Sequence, residues 1–409
     1  MTYRDAIYIS TDSHVTEPIE LYEERVDAAY RGRVPRIETV GEWRTLMIEG
    51  LGPRKLMPVS EREVAVIGDW DANDRLRDQQ RDGVSAEVIF PTFALQACFA
   101  SDDADFQRQL CRAYNSWAAD AFDDHRLLPV GLVSMLDIEG AIADAQEVAE
   151  QGFRALFLPA QVPGRGYNDA AYDPFWAAAQ EIGLPLTFHS GTGHEPRVVR
   201  GPGGAVINYL MGSQLDGPMV LLGLAAGGAL DRFSELRAVT VETGASWLAW
   251  IMTQADAIYE DHSMWAKPKL SLLPSELIRR QCAATFMYDP VAINNRATTG
   301  VETLVGQRLP APRRHVARLA SQERRPVRRR EPGRPRRDRE WQRGEGVRLR
   351  PRSAGDAAPA GPRVAAQDLP RAAVSRPEAA NAAGSNVRRA LTSASSANAS
   401  SRGRPSPRR

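Results

Sequence analysis

RALFLPAQVPGRGYNDAAYDPFWAAAQEIGLPLTFHSG, residues 154–191, holds two short apolar runs separated by a segment of helical pattern. Arg154–Pro159 and Leu184–His189 are too short for helices and end at a polar or turn residue, as buried strands do. Between them Asp173 and Pro174 suit the start of a helix, Phe175, Trp176 and Ala179 supply its apolar face, and Gly183 ends it. The order strand, helix, strand predicts a parallel βαβ unit.

The same alternation extends both ways along the chain. Ala6–Ser10, Ala86–Pro91, Leu128–Ser134, Arg237–Glu242 and Ala284–Asp289 bring the number of runs to seven. Seven parallel strands are one short of a (β/α)₈ TIM-type barrel of the α/β class, and the eighth is expected to begin near Glu302-Thr303-Leu304. About eighty residues separate the first two runs, more than a crossover helix needs, and within them Trp43–Ile48 reads as a strand of a small inserted subdomain.

The composition breaks where the eighth strand should stand. The whole chain of 409 residues has a net charge of +1, but residues 305–409 carry 26 Arg, no Lys and 8 Asp+Glu, a balance of +18 against −17 upstream. This tail has one Trp and only 12 Leu+Val, with no Ile or Phe, too little to bury a core. The expected organisation is therefore a barrel over residues 1–304 followed by a disordered Arg/Pro/Ala-rich tail over 305–409.

Cys98, Cys111 and Cys282 are few and scattered, which fits neither a disulfide framework nor a cysteine zinc motif. The first residues lack the apolar core of a leader, and the longest uncharged apolar stretch, Pro218–Leu230, is too short to span a bilayer. A cytoplasmic protein with no membrane partner is expected. The basic tail would attract phosphate, which makes nucleic-acid or anionic-surface binding the alternative function. The absence of Lys and the single aromatic weigh against it.

In a parallel barrel the reactive groups stand at the C-terminal ends of strands. Asp12-Ser13-His14 follows the first run, and extended alternation puts Asp12 and His14 on one side, able to meet one metal ion while Ser13 turns away. His189 ends the fifth run, where its imidazole could bind the same ion. Each histidine can equally be read as a hydrogen-bonded structural residue.

With these residues in place the sequence resembles the amidohydrolase superfamily, in its amidohydrolase-related branch of aminocarboxymuconate-semialdehyde decarboxylase-like metal-dependent hydrolases. The resemblance runs from Ile7 to about Leu304 and rests on STDSHVTEP at 10–18, RALFLPAQ at 154–161, PLTFHSGTG at 185–193 and LDRFSELRAVTVETGASWL at 230–248. It implies a barrel enzyme with a divalent metal ion, usually Zn²⁺, acting as a carboxy-lyase (decarboxylase) or hydrolase on a small carboxylic acid or cyclic compound. It also implies a homodimer, as relatives commonly form. Asp12 and His14 match the strand-one ligand pair and His189 the strand-five ligand.

Decarboxylating members carry a catalytic histidine after strand six, whereas this chain has Glu242 there. Glu242 is a candidate to accept or deliver a proton, with a salt-bridged carboxylate as the alternative. Asp289 in FMYDP is a second candidate, set against a role as a turn cap. Glu17 is expected to hydrogen-bond a ligand histidine, and His194 to touch substrate. His125 and His262 lie in polar loops and are not assigned a role.

The family closes its barrel with a strand ending W-G-S-D-Y-P-H, whose Asp is the last metal ligand. This chain reads LVGQRLPAPRRHVARLA from Leu304. Permitted codons for Leu304 to Ala320, read from their second base, give WWGSDYPHPEGTWPDS, and the same offset over Trp341–Arg352 permits GNAARVFGFDL. A frameshift shortly before the Leu304 codon is the resulting expectation. The ligand Asp would then be encoded across Arg308 and Leu309, and the translated chain would lack its eighth strand, keep three ligands and be impaired.

Overall fold

Eight parallel strand positions follow one another around the chain in sequence order. The computed structural model describes residues 8–58, 70–192, 199–262 and 264–305. All of these fall in the first of two units, Met1–Arg350; the second, Pro351–Arg409, lies outside the described residues.

Strand β1, Ile9–Val15, runs from an exposed first residue to a buried last one. Ala6 and Ile7 of the expected run lie outside the described residues, and the strand continues past Ser10 to carry Asp12, Ser13 and His14 within it, Ser13 being taken up by buried Glu87. Strands β2 (Arg36–Val40), β3 (Trp43–Met47) and β4 (Arg54–Pro58) form an antiparallel sheet in the long first connection. β3 is the strand expected there.

Strand β5, Ala86–Pro91, pairs parallel with β1 on one side and with β6, Leu127–Pro129, on the other. The third expected run is split, since β7, Gly131–Leu132, pairs instead with β8, Leu156–Leu158. Val130 is the joint between the two ladders: its N–H donates to Ile89 O at 3.1 Å, while the next N–H, of Gly131, donates to Ala155 O at 3.0 Å. Gly131 has to be a glycine, because a Cβ there would stand 2.2 Å from Val148 Cγ1 on the covering helix Ile138–Glu150.

From β8 the parallel order continues through β9 (Leu186–His189), β10 (Ala238–Val241), β11 (Cys282–Phe286) and β12 (Glu302–Val305). Between β8 and β9 the predicted helix spans Asp173–Ile182, with Gly183 in the left-handed region as its C-cap and Phe175, Trp176 and Ala179 buried. Asp173 is the first helical residue rather than the cap, which is Tyr172. Trp176, Tyr172, Tyr167 and Phe188 pack ring against ring between this helix and the sheet, with centroids 5.3–5.8 Å apart.

The eighth strand begins where it is expected, near Glu302, and its expected loss beyond that point falls outside the described residues. β12 is present over four residues, pairs parallel with β11 from Ala283↔Glu302 to Phe286↔Val305, and lies beside β1. Its residues come from the last stretch of ordinary composition, which is enough for a short ladder. The frame-dependent motif, the ligand Asp and the basic tail all fall after it, outside the described residues. Among the described residues no helix is long and apolar enough to cross a membrane.

Candidate metal centre

The end of β1 is fixed from behind. Ser13 points away from Asp12 and His14, as alternation requires, and its hydroxyl donates to Glu87 Oε2 on β5 at 2.6 Å. Arg75, on the helix Ala72–Asp82, completes the support. Its Nε and Nη2 donate to the two Glu87 oxygens at 2.9 Å each, Nη2 also donates to Ser13 Oγ at 2.8 Å, and Nη1 donates to the His14 carbonyl at 2.9 Å. Both members of the ion pair are buried. A two-pronged guanidinium contact of this kind fixes orientation as well as charge.

On the other side of β1, Asp12 and His14 meet His189 from the end of β9 and Glu242 just after β10. The potential ligand atoms of these four residues all lie within 4.8 Å of one another. The two Nε2 atoms are 3.1 Å apart, each 3.4 Å from Asp12 Oδ1, and 3.7 Å (His14) and 3.5 Å (His189) from Glu242 Oε2.

Backbone carbonyls orient both rings. His14 Nδ1 lies 3.1 Å from Pro91 O and His189 Nδ1 lies 2.8 Å from Ser190 O. A carbonyl only accepts, so in each neutral imidazole the proton sits on Nδ1 and the lone pair on Nε2. Two nitrogen lone pairs and two carboxylates then converge on one point. Both oxygens of Asp12 are buried and make no hydrogen bond. Burial pushes the Asp12 carboxyl up, and positive charge on the adjacent His14 and His189 rings, when they are protonated, outweighs it and holds the group below the usual carboxylate range. Neutral imidazoles with two carboxylates make a donor set of charge −2, which a divalent cation would balance.

His189 is held by the loop that follows it. Thr192 Oγ1 donates to the His189 carbonyl at 2.8 Å and accepts from Ala160 N at 2.9 Å. Buried Asp216 accepts from Gly191 N at 3.1 Å and from Gln161 Nε2 at 2.8 Å. A cleft of about 700 Å³ opens beside Gln161, Met211 and Leu215; none of the four donors lines it.

Glu242 reaches the group through an unusual backbone. Val241 is in register with His189, and the next residue turns to φ 55°, the left-handed region, which swings the carboxylate inward. Its N–H donates to Thr285 Oγ1 on β11 at 3.0 Å. Its Oε1 accepts from the Tyr209 hydroxyl at 2.7 Å. Glu242, expected as a proton carrier, thus stands among the potential ligand atoms.

Two other candidate carboxylates are engaged by backbone amides. Glu17 does not bond a ligand histidine: it accepts from Ala94 N at 2.5 Å, Tyr22 Oη at 3.2 Å and Thr92 N at 3.0 Å, and so holds the turn after β5. The histidine Nδ1 atoms face main-chain carbonyls instead. Burial pushes the Glu17 carboxyl up despite the backbone amides aimed at it. Asp289 is the N-cap of the helix Pro290–Thr299, with one oxygen accepting from Ala292 N and the other from Ala245 N and Ser246 N at 2.9 and 2.7 Å. Its carboxylate ties the loop after Glu242 to that helix, as the turn-cap alternative describes.

His194 lies outside the described residues. His125 and His262 are exposed and belong to no described ligand group, and all three cysteines are buried. Tyr209, Arg75 and Glu87 were not singled out from the sequence. Their partners are 12 to 74 positions away, and no local spacing signals such contacts.

The family model described as amidohydrolase matches residues 13–294. No curated protein matches the chain. Among solved structures, an amidohydrolase of Mycobacterium avium subsp. paratuberculosis superposes with a TM-score of 0.60 at 20% identity, covering 78% of this chain and 94% of its own. The 5-carboxyvanillate decarboxylase of Sphingomonas paucimobilis gives 0.57 at 20% identity, with 79% and 94% covered. A 5-carboxyvanillate decarboxylase of Novosphingobium aromaticivorans, an Asp-to-Asn variant solved with manganese and 3-methoxy-4-hydroxy-5-nitrobenzoic acid, gives 0.55 at 16% identity, with 76% and 89% covered.

Proposed function

The chain belongs to the amidohydrolase family, and on that footing we propose a (β/α)₈ barrel enzyme whose Asp12, His14, His189 and Glu242 hold one divalent cation. Its reaction is decarboxylation of a small carboxylic acid, with hydrolysis as the sister reaction of the family. The observation that carries this reading is the convergence of two Nε2 lone pairs and two carboxylates within 4.8 Å, with Asp12 buried and not hydrogen-bonded. The sequential order of eight parallel strand positions over two ladders, with β12 beside β1, supports the barrel.

A divalent ion supplies Lewis acidity, polarising a substrate oxygen or lowering the pKa of water. The chain's own residues do the rest. The carbonyls of Pro91 and Ser190 keep both rings in the ligating tautomer, a partner arrangement that raises ligand basicity. Arg75 and Glu87 hold the His14 backbone in place. Mixed imidazole and carboxylate donors suit Zn²⁺ or Mn²⁺, and the decarboxylase neighbours, one of them solved with manganese, favour Mn²⁺ and a ring-bearing carboxylic acid. Glu242 stands in for the strand-eight carboxylate as fourth donor, which leaves the chain a metal-binding centre even where the frame-dependent Asp is missing.

The test is metal uptake followed by turnover. The full-length protein, stripped of metal, is titrated with Mn²⁺ and with Zn²⁺, and the loaded forms are assayed for CO₂ release from a panel of hydroxylated benzoates. One equivalent of ion bound per chain and CO₂ release from at least one acid are expected. Absence of uptake of either ion by the folded chain would refute the reading.

A further inference from the structure

We propose that Tyr209 is a positioning residue that makes Glu242 a one-oxygen ligand and ties the segment Val199–Gln214 to the centre; this rests on the metal reading above. Glu242 presents Oε2 to the two imidazoles, at 3.5 and 3.7 Å, while Oε1 accepts the Tyr209 hydroxyl at 2.7 Å. A carboxylate held in this way cannot swing both oxygens toward an ion without giving up the phenol. The main-chain bond to Thr285 fixes the other end of the residue. Tyr209 therefore decides how the last donor is presented.

The position of Tyr209 is itself built. Asn208, the residue before it, clasps Val199 twice: Val199 N donates to Asn208 Oδ1 and Asn208 Nδ2 donates to Val199 O, both at 2.9 Å. Gly204 is enclosed by this loop, where a Cβ would stand 2.5 Å from Val199 O. Tyr209 then opens the π-helix Tyr209–Gln214. A π-turn inserts one residue into helical spacing and recurs at functional sites because it re-aims a side chain. Here the clasp precedes the helix start, and Tyr209 extends its phenol to Glu242 from a segment whose neighbours Val206, Ile207, Leu210 and Met211 face solvent. Tyr209 is 44% exposed, so its ring stands at the boundary between solvent and the centre.

The test is a double-mutant cycle in the full-length protein with Mn²⁺ alone as the probe, the free ion being followed by electron paramagnetic resonance. Tyr209→Phe removes the hydroxyl that donates to Glu242 and keeps the ring, and the cycle with Glu242 assigns the effect to that pair. Tyr209→Phe is expected to weaken Mn²⁺ binding by about 10-fold, the low end for loss of a ligand's outer partner, and to change the bound-ion spectrum at saturation. In a Glu242→Gln background the same change is expected to have no further effect. An affinity within twofold of wild type, or an equal loss in both backgrounds, would overturn the inference alone. Failure of the wild type to bind Mn²⁺ would overturn the metal reading and this inference with it.

Discussion

Arg75 and Glu87 form a buried, two-pronged ion pair directly behind the strand that presents Asp12 and His14. Because Arg75 also holds the carbonyl of His14, the pair links charge burial to the placement of a ligand. Removing one partner strands the other charge in the interior, a loss of about 3–5 kcal/mol for a pair of this kind. Arg75→Ala is expected to lower the denaturant midpoint accordingly and to weaken Mn²⁺ uptake. Equilibrium unfolding in the absence of metal separates the two effects, and an unchanged midpoint would show that the pair does not support the fold.

Direct donors should matter more than their supports. His189→Ala and Asp12→Asn are each expected to reduce Mn²⁺ affinity by more than the roughly 10–100-fold that loss of an outer partner costs. Ligand that binds only the folded state stabilises by about 2.7 kcal/mol at one hundred times its Kd, so saturating Mn²⁺ should raise the melting temperature of the wild type and leave that of His189→Ala unmoved. Equal shifts in the two proteins would place the ion elsewhere.

Glu17 gives a pH signature of definite sign. Burial raises its carboxyl above the ordinary glutamate range, so the folded chain binds that proton more tightly than the unfolded chain. Its contribution to stability is greatest below the ordinary range and falls as pH rises through the folded-state value. Glu17→Gln removes this term. Denaturant midpoints of the two proteins, compared at about pH 4 and about pH 8, should show the wild type losing ground to the variant at the higher pH. The opposite trend would mean that the amides of Thr92 and Ala94 dominate.

Asp289 is expected to behave as a cap and not as a base. Asp289→Ala removes the acceptor of three main-chain N–H groups and should cost about 1–2 kcal/mol. Mn²⁺ affinity should stay within a few-fold of wild type. A large loss of turnover with full stability would return Asp289 to the chemistry.

The order of strands was legible because each is a short apolar run with a polar end, which needs only local pattern. Asp12, His14 and His189 were legible for the same reason, standing at or near those ends. The roles of Glu17 and Asp289 were not, since a carboxylate beside a turn looks alike in sequence whether it faces an ion or a row of backbone amides. Nor does spacing reveal that residue 242 takes a positive φ, or that a phenol 33 positions earlier bonds to it. The length of β1 was misjudged because Asp12-Ser13-His14 looks like a loop until its buried partners are known.

The positive φ of Glu242 sets thermal tolerance against chemistry at a single codon. A residue with a Cβ pays about 1–2 kcal/mol to occupy the left-handed region, and glycine does not. Selection for heat resistance alone should therefore enrich Glu242→Gly, and each such survivor would have discarded one of the two carboxylates of the ligand group. Among variants at this position, hardiness and metal uptake are expected to run in opposite directions, the usual relation where a strained residue is kept for what it does.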